Sequence, residues 1–146
     1  LLALAARADG SLWGWGWNAL GQLDLPQSVN VSALPQPLPG VTQVVGVAAD
    51  RNHSLARRAD GSVWSWGQNT AGQLGRGPVG LSVTRVAPAP IPGLSGVVSL
   101  TARAGAVHAV LADGSVRAWG DNTALLIGDG VSPLVPSARR VLARHP

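Results

Sequence analysis

RRADGSVWSWGQNTAGQLGRG, residues 57–77, is the stretch on which the fold turns. Read with the three residues that follow, it ends in a G-x-G-x-x-G of Gly75, Gly77 and Gly80. A dinucleotide-binding loop needs a strand feeding the glycines, a helix starting at them and an acid about 20 residues on to hold the ribose. Here Pro78, Pro88, Pro90 and Pro92 break any following helix, and no acid stands between Asp60 and Asp113. The glycines therefore need another explanation.

Two further segments supply it. ARADGSLWGWGWNALGQLDLP begins at Ala6 and VLADGSVRAWGDNTALLIGDG at Val110, and both share A-D-G-S and then W-G-x-N with the first. Asp9, Asp60 and Asp113 stand 51 and 53 residues apart, and Trp15, Trp66 and Trp119 repeat those spacings. A recurrence of this length marks stacked supersecondary units, each burying its apolar face only against neighbours. The repeat signature comprises Asp9, Gly10, Trp15, Gly16 and Asn18, then Asp60, Gly61, Trp66, Gly67 and Asn69, then Asp113, Gly114, Trp119, Gly120 and Asn122. LLALAARADG at the start pairs with SLARRADG of the second unit, so it reads as strand and not as a targeting peptide.

Within a unit the punctuation is β. Asp-Gly between alternating segments predicts a two-residue type I′ hairpin, here joining HSLARR to SVWSWG. The β-branched runs VTQVVGVAA from Val41 and GVVSLTA from Gly96 add an inner strand, and SALPQPLP and TRVAPAPIP suit an outer edge, where proline's missing donor is tolerated. Four strands per unit make a propeller blade. Alternation places Trp13, Trp15, Trp64, Trp66 and Trp119 on one face, and Leu12, Gly14, Val63, Ser65, Val116 and Ala118 on the other.

The fold expected is all-β: a β-propeller of four-stranded antiparallel blades, about two and a half repeats of an incomplete ring. Residues 1–146 form one propeller segment, with units at about 1–24, 25–75 and 76–128, and 129–146 starting a further blade. Two open edges predict that the isolated chain self-associates or belongs to a longer propeller.

Composition narrows the chemistry. All 11 basic residues are Arg and all 7 acids Asp, six Trp supply the aromatic surface, and Cys, Met, Phe and Tyr are absent. The Ala, Arg, Gly and Pro bias suits a GC-rich bacterial genome. Without Cys there are no disulfides and no thiol catalysis, and without Lys no Walker loop. The net charge of +4 is carried by scattered arginines, which favours a solvated surface over a nucleic-acid footprint. No apolar run approaches the roughly 18 residues that span a bilayer. The three repeat aspartates fall in hairpin turns, where they cap amides instead of forming an acid pair, and His108 and His145 lack partners at ligand spacing, so no metal or other cofactor is expected.

Unit two resembles the regulator of chromosome condensation repeat, through His53, Ser54, Ala56, Asp60, Gly61, Trp64, Trp66, Gly67, Asn69, Gly72, Gln73, Leu74 and Gly75. GQLDLPQSV is also similar to the propeller-type β-lactamase inhibitor proteins. The resemblance implies a slice of a seven-bladed ring that works as a non-catalytic protein-interaction scaffold, the alternative being nucleotide exchange on a small GTPase. It departs in unit one, with Asp24 for the last glycine, and in unit three, with Leu125, Leu126 and Ile127 for G-Q-L and Ala106 for the histidine. Candidate contacts for a protein partner of unknown identity are Trp17, at the variable x of W-G-x-N, His53 and Arg76, with the loops DLPQSVN and GRGPVGLSV presenting them.

Overall fold

The computed structural model describes residues 1–77, 83–130 and 133–142; Pro78, Gly80, much of GRGPVGLSV and His145 lie outside the described residues. Three antiparallel sheets follow one another along the chain. Blade 1 holds β1 (Leu2–Ala6), β2 (Leu12–Trp17) and β3 (Val31–Pro37). Blade 2 holds β4 (Val44–Ala49), β5 (His53–Arg58), β6 (Val63–Gly67) and β7 (Val86–Pro90). Blade 3 holds β8 (Val97–Arg103), β9 (Ala106–Leu111), β10 (Val116–Asp121) and β11 (Leu134–Leu142).

Each sheet runs in chain order, so each blade is a meander. The β-branched runs form β4 and β8 at one sheet edge, and the proline-spaced strands β3, β7 and β11 form the other, where no donor is needed on the far side. Blade 1 has three strands among the described residues, in keeping with the expected incomplete run of repeats, and one expectation is corrected. Residues 134–142 do not start a further blade; they pair with β10, Asp121 opposite Leu134 and Arg117 opposite Arg140. The sheets therefore divide the chain between β3 and β4 and between β7 and β8. The sequence period instead counts from one G-Q-L tail to the next, cutting each blade before its outer strand.

The Asp-Gly hairpins form, but not as two-residue type I′ turns. Gly10 N–H bonds Arg7 O, Gly61 bonds Arg58 O and Gly114 bonds Leu111 O, while Arg7, Arg58 and Leu111 pair with Ser11, Ser62 and Ser115 across a three-residue loop. Only the glycine takes positive φ, at 84°, 80° and 83°. This is a type I turn closed by a left-handed residue, the next most common hairpin connection. The aspartate decides it: Oδ1 of Asp60 accepts Ser62 N–H at 2.9 Å and Ser62 Oγ–H at 2.6 Å, and Asp9 and Asp113 do the same.

The core lies in the two seams. Leu12, Leu23, Leu38 and Val41 meet Val44, Ala56 and Trp66 in the first. Leu55, Val63, Ile91 and Leu94 meet Val107, Ala109 and Trp119 in the second. Each seam is pinned by a tryptophan: Trp66 Nε1–H donates to Gln22 O at 2.9 Å, and Trp119 Nε1–H to Gln73 O at 3.0 Å. Gly75 belongs to this device. A Cβ there would stand 2.8 Å from Nε1 of Trp119, so at this seam glycine lets the indole close over the chain; at the first seam Asp24 holds the same place with a φ of 52°. Gly75, the first glycine of the opening G-x-G-x-x-G, thus serves the seam.

Candidate functional site

At the end opposite the Asp-Gly turns, the β4–β5 loop meets the segments that follow β2, β6 and β8. The frame is rigid because its polar groups are spent internally. Asn18, Asn69 and Asn122 are buried, and their Oδ1 atoms accept the N–H of Leu23, Leu74 and Ile127 at 2.9, 3.1 and 2.9 Å. Gln22 Oε1 accepts Leu20 N–H, its Nε2 donates to Arg51 O on the next blade, and Gly105 N–H donates to Asp50 Oδ2 at 2.6 Å. Since the Asn bond ends on a backbone N–H, Ile127 replaces leucine without breaking it.

Two clefts open in this frame. One of about 450 Å³ lies between Trp17, Ala19 and Leu20 of blade 1 and Arg51 and Asn52 of blade 2. The other, of about 530 Å³, runs past Asp50, His53, Gln68, Thr70 and Asp121. Both share Arg51 and Asn52, so they form one mixed polar and apolar surface.

The three candidate contacts sit differently in it. Trp17 is 43% exposed and lines the smaller cleft. His53 is buried at the start of β5, and its Nε2 has no hydrogen-bond partner among the described residues. Burial pushes its imidazole down to about 4 although the Asp50 charge opposes this, so the ring stays neutral near pH 7. Arg76 does not reach either cleft: its Nε donates to Ser65 Oγ at 3.2 Å, its Nη2 to Ala87 O at 2.9 Å, and its backbone bridges to Ser137. Burial lowers its guanidinium to about 10. Arg76 thus braces strands of blades 2 and 3 from within.

Arg51, Asn52, Gln68 and Thr70 were missed as cleft residues. A signal for one of them existed in the repeat: Trp17, Gln68 and Asp121 all occupy the variable x between the fixed Gly and Asn, and at this end Trp17 is exposed while Gln68 and Asp121 are half-buried.

Three antiparallel meanders joined through tryptophan-pinned seams define a β-propeller built from repeats. The chain belongs to the regulator of chromosome condensation (RCC1) repeat family, whose unit matches residues 9–57 and 60–112, with a second form of the repeat matching 44–73. The ultraviolet-B receptor UVR8 of Arabidopsis thaliana is 38% identical over 93 residues, 63% of this chain and 20% of its own length. Protein RCC2 of Homo sapiens is 40% identical over 77 residues, 51% of this chain and 15% of its own. Human WBSCR16 superposes with a TM-score of 0.83 at 26% identity over 97% of this chain and 37% of that one. Prp20p of Saccharomyces cerevisiae does so at 0.81, with 23% identity over 97% and 36%. The chain thus spans a fifth or less of these curated relatives and about a third of these solved structures. The two relatives are eukaryotic and lend the expectation of a bacterial source no support.

Proposed function

We propose that this propeller segment binds a protein partner through the end carrying Trp17, without turnover. The observation that carries the reading is Trp17 itself: a large aromatic side chain left 43% exposed in a cleft beside Arg51. Exposed aromatic and arginine side chains over a rigid frame are the usual anchors of protein interfaces. The polar residues that could pass for a catalytic set are occupied in turns, as with Asp9 and Asp60 on their serines. Arg58, Arg76, Arg85 and Arg139 are held by acceptors within the chain, which argues against a phosphate-tracking stripe. Among relatives of the same fold, Prp20p is described as binding Gsp1p and histones.

The test is capture of a partner by the wild type and by Trp17→Ala at low and high salt, followed by nucleotide release from any GTPase recovered. A partner kept by the wild type at high salt and lost by Trp17→Ala, with no release, supports the reading. Binding lost at high salt would indicate a counterion-driven contact. Accelerated nucleotide release would replace it with an exchange factor.

A further inference from the structure

Blades 2 and 3, the two four-stranded sheets, meet at the candidate end around Gly105, in the turn between β8 and β9. The N–H of Gly105 donates to Asp50 Oδ2 at 2.6 Å, and its carbonyl accepts the N–H of Asp121 at 3.0 Å. A Cβ built on Gly105 would stand 3.0 Å from Cβ and 3.9 Å from Oδ2 of Asp121, so two aspartates from different blades come up against one glycine. Both line the cleft of about 530 Å³. Neither forms an ion pair among the described residues, although Asp60 and Asp129 do and the chain holds 11 arginines to 7 aspartates. Arg51, which this cleft shares with the Trp17 cleft, does not pair with either: its backbone N–H, not its guanidinium, donates to Asp50 Oδ1 at 2.7 Å.

Acceptors remain to spare in this cleft. Asp121 Oδ1 is taken by the N–H and the hydroxyl of Thr123, at 2.8 and 2.7 Å, while Oδ2 makes no bond among the described residues. Asn52 Nδ2 donates to Gln68 Oε1 at 2.8 Å, which leaves Asn52 Oδ1 as a further acceptor. His53, 1% exposed, lines the same cleft, and its Nε2 is a buried polar atom whose bond the described residues do not make. Its ring is neutral near pH 7, so it adds no positive charge here. Among the described residues no three His or Asp side chains are placed to hold a metal ion, so the cation that fits is an organic one.

We propose that this cleft takes an arginine side chain of the protein partner, with its guanidinium seated between Asp50 and Asp121; the inference rests on the reading of this end as the partner-binding one. A guanidinium is a planar fork of five donors with no acceptor, and it matches a set of carboxylate and amide oxygens better than a compact ammonium does. The two carboxylates are already held by the N–H groups of Gly105, Arg51 and Thr123, so little freedom is lost when the ligand arrives. Arg51 and Asn52 join this cleft to the one beside Trp17, so the partner presents an apolar group to one and a base to the other.

Titration of the isotope-labelled 146-residue chain with N-acetyl-arginine methylamide, followed by amide NMR, tests it. The N–H resonances of Gly105 and Thr123, which are bonded to the two carboxylates, should shift as the probe enters the millimolar range. The citrulline analogue, of the same shape without the charge, should bind about tenfold more weakly, and added salt should weaken the arginine probe. Asp121→Asn keeps the Oδ1 that caps Thr123 and removes the charge, so it should cost about tenfold in affinity with the circular dichroism unchanged. Absence of shifts at Gly105 and Thr123, equal binding of the citrulline analogue, or wild-type affinity in Asp121→Asn overturns the proposal. Trp17→Ala should bind the probe as wild type does, which separates the two readings. Probe binding of this pattern in a chain whose Trp17→Ala variant still captures the partner supports the arginine site and sinks the reading of Trp17; capture that depends on Trp17 with no probe binding does the reverse.

Discussion

Leu125 holds a backbone φ of 57° where Gly21 and Gly72, its counterparts in the earlier units, sit at 74° and 70°. A residue with a Cβ is strained there, and its side chain is 67% exposed, with little packing to offset the cost. Leu125→Gly should therefore stabilise the chain by about 1 kcal/mol in chemical denaturation. His53 gives a pH signature. Burial holds its ring at about 4 against an ordinary 6.5, so between these values the unfolded chain binds the extra proton. Stability should be full above pH 6.5, fall as pH drops toward 4, and lose that slope in His53→Gln, as read from urea midpoints across the window. Asp9 and Asp60 act lower on the scale. Hydrogen bonds from Ser11 and Ser62 hold their carboxyls below 3.8, so their contribution is present above that value and disappears on further acidification.

Among elements, the seams hold the surprises. Arg85, just before β7, reaches back across the first seam to Asn18 O, Ala19 O and Leu25 O at 2.9, 3.0 and 3.0 Å. Arg85→Ala should cost about 1–2 kcal/mol by urea denaturation, the loss of charge-assisted bonds from a half-exposed site. The strands and their order were legible because alternation and turn punctuation are local. The hairpin type was not, because Asp-Gly serves both a two-residue loop and a three-residue one, and what decides is the aspartate's pair of bonds to the serine one position past the glycine. The pins were not legible either: Trp66 and Trp119 find their acceptors 44 and 46 residues away, and backbone carbonyls leave no mark on sequence. Arg76 looked like a surface contact for the same reason. Its acceptors, Ser65 Oγ and Ala87 O, are brought to it by strand pairing.

For the molecule as a whole, the repeat made the propeller readable from three spaced Asp-Gly pairs, while the partner-facing end emerged only when loops distant in sequence were assembled. Two tryptophans two positions apart in the repeat carry this division. Trp66 has no exposed surface and locks one blade to the next; Trp17 lies past the end of the corresponding pin and faces outward. Side-by-side denaturation of Trp66→Ala and Trp17→Ala measures it most directly. The account predicts a loss of about 3–5 kcal/mol for Trp66→Ala, as for a large buried aromatic, and under about 1 kcal/mol for Trp17→Ala, as for a surface position. Equal losses for the two would contradict it.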